Sequence, residues 1–211
     1  MFTKTLLPDT VRAIKLVSKV PIVKNSYLAG GTALALRLGH RISIDLDFFT
    51  LEELEENVLL ADLEQLPEFK KDGVAWRTVW GIIQNTKFSL FYYKYPLLEK
   101  TDAYMGIKIA SLKDIAAMKI IAIGDRGTKR DFIDLYFLTK IYTTDEMLEF
   151  YDMKFGDLDE KAYHLIRSLD YFADADVDTQ LPKMLIDIDW ENIKKFFHQE
   201  SMRLSKVYNL F

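Results

Sequence analysis

The 211-residue chain reads as a mixed α/β (α+β) protein, and three observations say so. Residues 41–49 alternate apolar and polar side chains. Two β-branched and aromatic runs, 74–83 and 86–95, are split by Gln84 and Asn85. Beyond Ser111 the periodicity turns helical. With 49% hydrophobic and 28% charged residues the chain can fill and cover a core, which excludes intrinsic disorder. The lack of cysteine excludes a disulfide scaffold, a cysteine-ligated zinc site, an iron–sulfur cluster and a thiol nucleophile. His40, His164 and His198 are too few for a histidine-rich metal site. No apolar run approaches the roughly 18 residues of a spanning helix. Residues 1–12 lack the basic start, apolar middle and small-residue end of a secretion signal. The expectation is a cytoplasmic protein with no membrane association.

In chain order, 9–17 is a capped amphipathic helix stopped by Pro21. Residues 26–29 form a short strand running into Gly30, Gly31 and Thr32, after which 33–38 is helix material ending at Gly39. Residues 41–49 place Ile42, Ile44, Leu46 and Phe48 against Ser43, Asp45 and Asp47, as a half-buried strand does. A helix follows over 51–66, then the strand pair. Ser111 and Asp114 make a near capping box for a helix over 113–123, and further helices are expected over 129–140, 144–151, 159–171 and 192–208. No repeat or low-complexity linker appears. The expected division is 1–105, an α/β core, and 106–211, a helical part completing a cleft where a ligand would bind. Trp190, Phe196 and Phe197 are expected to dock the last helix, and the aromatic run from Phe91 to cover the sheet.

The net charge is −4, which disfavours bulk coating of a polyanion. Its distribution is uneven. Residues 108–130 carry six basic side chains against Asp114 and Asp125, whereas 145–191 carry fourteen acidic against four basic. One basic segment could attract a polyanion locally while the acidic third stays clear of it.

Asp45 and Asp47 are the first candidates for chemistry, because residues i and i+2 of a strand share a face. Two such carboxylates suit Mg²⁺, which is bound by one or two carboxylates plus substrate phosphates. The same pair would also serve as the solvent face of an edge strand. Gly30, Gly31 and Thr32, at a strand-to-helix handover, would let a phosphate approach backbone amides at a helix start. A turn for triphosphate followed by a strand for metal resembles the polymerase-β-like nucleotidyltransferase superfamily. Downstream, Lys119 and Asp134 are lone charges in apolar helical stretches, and Asp131 lies three residues before Asp134. Burying an unpaired ion is costly, so each needs a partner or a cleft. Either Lys119 and Asp134 pin two helices together, or they line an active-site wall where Lys119 and Arg126 meet phosphates and Asp131 or Asp134 faces acceptor or metal.

The run YLAGGTALALRLGHRISIDLDFF from Tyr27, followed by Lys119 and by RGTKRDFIDLYFL from Arg126, resembles the AbiEii/AbiGii family of nucleotidyltransferase toxins. The matching blocks cover 27–50 and 111–139. The resemblance implies a nucleotidyltransferase core with a helical C-terminal part, NTP as substrate, Mg²⁺ as cofactor, and a place in a type IV toxin–antitoxin or abortive-infection system with an antitoxin partner. Some relatives suggest tRNA as acceptor. Carried onto matching positions, it implies phosphate and nucleotide binding by Gly30, Gly31, Thr32, Lys119, Arg126, Lys129 and Asp134. It implies metal binding by Asp45 and Asp47, and catalytic roles for Asp45, Asp47, Lys119 and Asp131.

One departure stands out. Superfamily enzymes often carry a third carboxylate on a later strand, but no Asp or Glu occurs between Asp72 and Glu99, and Ser89 stands about where the acid is expected. Two functions therefore fit the sequence: a metal-dependent nucleotidyltransferase, and a catalytically inactive nucleotide- or partner-binding module of the same fold.

Overall fold

The computed structural model describes residues 1–66 and 68–210. They fall into two compact units, Met1–Ser111 and Leu112–Phe211. The division comes later than 105/106 because residues 107–109 pair into the sheet of the first unit.

In the first unit α1 is Pro8–Val17 and α2 Pro21–Asn25. Proline at the first helical position loses no intrahelical hydrogen bond, so Pro21 opens α2 where a stop was expected. Strand β1 (Tyr27–Ala29) leads directly into α3 (Gly30–Leu38), and β2 is Leu46–Thr50. Then come α4 (Glu56–Glu64), β3 (Phe69–Ala75), β4 (Thr78–Ile83), β5 (Thr86–Tyr92), β6 (Asp102–Tyr104) and β7 (Ile107–Ile109). Among the described residues these strands form one sheet in the order β3-β4-β5-β2-β1-β7-β6. The β1–β7 and β2–β5 pairs are parallel and the others antiparallel. β1 is buried throughout, and buried Leu46, Phe48, Phe88 and Leu90 alternate with more exposed neighbours, which puts one face of the central strands in the core. Phe49, stacked on Phe91 and edge-on to Tyr93, covers the other face, as expected of aromatics at strand spacing.

Local pattern misplaced several boundaries here. The strand expected from residue 41 begins only at Leu46, because the Ser43 amide donates to Thr5 O at 3.0 Å and holds 42–45 out of the sheet. The helix expected from residue 51 begins at Glu56, because Thr50 Oγ1 accepts from the Glu52 amide and turns the chain. The single strand expected over 74–83 is instead the end of β3, a turn and β4, which pair as a hairpin. Its turn at Trp76 and Arg77 has Arg77 at φ 52°, held by a bond from its amide to Glu56 and a 2.7 Å ion pair with Glu53. The hairpin of β6 and β7 was not expected at all. It is tied to α3 by Arg37, which donates to Ala110 O at 2.6 Å and pairs with Asp102 at 2.8 Å.

The second unit is helical: α5 (Leu112–Asp125), α6 (Lys129–Leu138), α7 (Thr144–Phe155), α8 (Leu158–Ser168), α9 (Ala173–Val177) and α10 (Trp190–Val207). Thr143 and Glu146 form a full capping box on α7, and Thr128 caps α6. Phe132, wholly buried, meets Phe172, Trp190 and Phe197 with ring centroids 4.9 to 6.1 Å apart, so the last helix docks through the expected aromatics. Asp114 and Lys154 form a fully buried ion pair between α5 and α7 at 2.8 Å. No helix among the described residues is long and apolar enough to cross a membrane.

Candidate functional site

The first cluster sits where β1 hands over to α3. Ala29, the last residue of β1, is in register with Asp47 on β2, and Asp47 is in register with Ser89 on β5. The next residue, Gly30, has φ +67°, which an L side chain rarely adopts, and its ideal Cβ would lie 3.1 Å from Asp47 Oδ2. The glycine turn and the Asp47 carboxylate are therefore immediate neighbours. A Cβ on Gly31 would overlap Arg41 Nη2 and lie 3.4 Å from both Arg41 Cζ and Ser43 Oγ. The space beside the second glycine is thus taken by a guanidinium packed against it.

Thr32 faces inward. Its hydroxyl is buried and bonds to both Ser43 Oγ, at 2.9 Å, and the Asp45 carbonyl. A carbonyl only accepts, so the single Thr32 proton goes to Asp45 and Ser43 donates the other bond. Thr32 thereby ties the start of α3 to the segment that presents Asp45. Asp45, one residue ahead of β2, and Asp47 are both half-buried, in step with the alternation along the strand.

Among the described residues, no group of three His, Cys, Asp or Glu is placed to hold a metal ion. For one Mg²⁺ shared between carboxylates and a substrate phosphate the residues to consider are Asp45 and Asp47, of which Asp47 adjoins the turn that opens α3.

The second cluster lies within the helical unit. Lys119 Nζ of α5 sits 2.9 Å from Asp131 Oδ1 and 2.7 Å from Asp134 Oδ2 of α6, with all three side chains at most 5% exposed. The helix-pinning salt bridge weighed from the sequence is present and includes Asp131. Arg126 donates to Asp131 through Nε at 2.8 Å and Nη2 at 3.0 Å, and the Thr128 hydroxyl donates to it at 2.6 Å. Burial by itself would raise the Asp131 carboxyl. The Lys119 charge, the Arg126 bonds and charge, and the Thr128 bond outweigh it and hold the group well below the usual carboxylate range. The Arg126 side chain remains 63% exposed and lines a cavity of about 400 Å³ with Gly127, Tyr163, His164, Arg167 and Tyr171.

Other expected contributors are enclosed. Asp134 is wholly buried against Lys119. Lys129 is buried too, with Nζ donating to the Asp178 carbonyl and lying 5.3 Å from the Trp190 ring. With Lys119 and Lys129 inside, the basic segment 108–130 presents less positive surface than its count of basic residues suggested. Neither the enclosure of Arg41 nor the Asp114–Lys154 pair is expected from the sequence. Lys154 had a usable signal, since it continues the apolar stripe Met147, Tyr151 at helical spacing.

The family model of the nucleotidyl transferase AbiEii toxin, type IV toxin–antitoxin system, matches residues 16–77 and 90–207. The chain belongs to this family. An uncharacterized protein of Aquifex aeolicus strain VF5 is 36% identical over 205 residues, which is 93% of this chain and 96% of that one. Among solved structures, JHP933 from Helicobacter pylori has a TM-score of 0.55 at 22% identity, covering 95% of this chain and 90% of that one. The nucleotidyltransferase toxin MenT4 from Mycobacterium tuberculosis H37Rv has a TM-score of 0.58 at 14% identity, covering 95% and 85%. The AbiEii chain thus has the polymerase-β-like nucleotidyltransferase fold expected from its sequence, and apart from Ser89 both clusters lie inside the matched residues.

Proposed function

We propose that this AbiEii-family chain is a Mg²⁺-dependent nucleotidyltransferase that joins a nucleotide from NTP to an acceptor hydroxyl or phosphate and releases pyrophosphate. The acceptor oxygen attacks the α-phosphorus, the bond from that phosphorus to the β-bridging oxygen breaks, and any acceptor proton passes to solvent. Gly30 and Gly31 would take the triphosphate at the α3 amides, with Thr32 holding that turn to Asp45. Asp45 and Asp47 would hold Mg²⁺, which when bound neutralises phosphate charge. Asp131, a stabilised carboxylate with four donor bonds, is a poor proton acceptor. It is better suited to holding Lys119 and Arg126 in place, and Arg126 to meeting phosphate. The enclosed Lys119, Lys129 and Asp134 would then act by bracing the helical unit that carries Arg126. The observation that carries this reading is the Asp47 carboxylate lying against Gly30 at the start of a helix.

The acceptor we infer is an RNA end, tRNA first. The acidic stretch 145–191 would repel a long polyanion, so binding should weaken with salt on a shallow slope. An antitoxin protein is the partner that a type IV toxin–antitoxin or abortive-infection role implies, and the site of action would be the cytoplasm. A second reading, a nucleotide- or partner-binding module without catalysis, is favoured by one observation: Ser89 is the residue in register beside Asp47.

Calorimetry with each NTP, in Mg²⁺ and then in EDTA, tests binding. Affinity should fall on chelation and in Asp45→Asn, and equal affinity with and without metal would remove the metal assignment. Labelled NTP with bulk tRNA tests transfer, which should vanish in the Asp45→Asn, Asp47→Asn double variant. Binding without transfer to any acceptor would select the second reading.

A further inference from the structure

We propose that Arg41 is a positioning residue of the triphosphate subsite, acting through Gly31. The inference deepens the nucleotidyltransferase reading and rests on it. Arg41 is 3% exposed, a degree of enclosure unusual for an arginine. Its guanidinium occupies the space that any side chain on Gly31 would need, and its Nη1 donates to the Ile42 carbonyl at 3.1 Å. Two residues on, Ser43 bonds to Thr32, and Thr32 bonds to the Asp45 carbonyl. The segment from Arg41 to Asp45 is therefore attached to the first turn of α3 at two points, by guanidinium packing at Gly31 and by hydroxyl bonding at Thr32. Moving Arg41 would shift the glycine turn and, through the same segment, the backbone that presents Asp45.

Geometry also sets what the residue discriminates. A planar guanidinium packed against the glycine turn holds in place the α3 amides to which an incoming polyphosphate would be bound. Its influence should therefore grow with the number of phosphates on the ligand and be small for the nucleoside part.

The experiment measures Mg²⁺-supported binding of ATP and of AMP to the full chain by calorimetry, with a thermal melt on each protein. The proteins are the wild type, Arg41→Lys, Gly31→Ala, Arg41→Met and the Gly31→Ala, Arg41→Met double variant. Arg41→Lys keeps the charge without the planar fork, and Gly31→Ala leaves Arg41 in the chain but displaces its guanidinium. Each of these two should weaken ATP roughly tenfold, the scale of one lost charge-assisted hydrogen bond, and AMP by less than about twofold. The double variant should bind ATP no worse than Arg41→Met alone, because both changes act on one contact. A purely structural role would lower the melting temperature without changing the ratio of ATP to AMP affinity. If the wild type binds ATP and the ratio is unchanged in folded Arg41→Lys and Gly31→Ala, the inference is overturned while the nucleotidyltransferase reading stands. If the wild type binds no ATP, that reading falls and takes the inference with it.

Discussion

Asp47 and Ser89 are register partners on the adjacent parallel strands β2 and β5. Register partners on neighbouring strands present their side chains to the same face, so Ser89 stands beside the carboxylate proposed to hold metal.

Ser89→Asp should therefore create a carboxylate pair. Without Mg²⁺ the like charges should lower stability by about 1 kcal/mol, with one carboxyl titrating above its ordinary range. With Mg²⁺ the variant should gain more melting temperature than the wild type does. Thermal melts in EDTA and in Mg²⁺ measure both, and an identical metal response in the two proteins would contradict the placement.

Gly30→Ala should be costly twice over. An alanine at φ +67° is strained by about 1–2 kcal/mol, and its Cβ, 3.1 Å from Asp47 Oδ2, would press on the carboxylate. Urea unfolding should show the stability loss and calorimetry a weaker Mg²⁺-dependent ATP affinity. An unchanged affinity would separate the turn from the metal ligand.

Lys119→Met leaves two buried carboxylates facing each other without the ammonium between them. The expected loss is about 3–5 kcal/mol, the usual cost of breaking a buried pair, and Asp134→Leu added to it should recover much of that. A wild-type melting temperature in the single variant would show that the contact does not brace α5 and α6.

Lys154→Met should carry a similar cost of about 3–5 kcal/mol, because Asp114 and Lys154 are both fully enclosed. Here Asp114→Leu with Lys154→Met should return stability close to that of the wild type, with ATP affinity unchanged throughout. Loss of ATP affinity in the folded double variant would give this pair a functional role that its position does not suggest.

Asp131 predicts a pH dependence. Its folded carboxyl titrates below the unfolded value of about 3.9. The stability it contributes is therefore complete above that value and is lost as pH falls through the folded titration. Asp131→Asn should be less stable than the wild type at pH 7, with the gap narrowing only below about pH 4. Urea midpoints at pH 7, 5, 4 and 3 measure the gap. A gap that closes between pH 7 and 5 would assign the effect to another group.

Local sequence determined the parts of this protein that local forces control. Alternation marked Leu46 to Phe49 as strand, and the glycines at 30 and 31 marked a strand-to-helix turn. Helical periodicity located α5 and α6 and picked out Lys119, Asp131 and Asp134 as charges in need of partners. Tertiary structure alone decided which partners they met. Lys119 lies twelve residues from Asp131 and Lys154 forty from Asp114, and no periodicity encodes such pairings. The same holds for Thr32, whose hydroxyl could have met a ligand but instead meets Asp45, thirteen residues on, because a buried hydroxyl must be satisfied within the fold. Arg41 is the sharpest case. By sequence it is one more charge, at the start of an expected strand, and it becomes part of the glycine turn only when the chain folds back and fills the space that Gly31 leaves open.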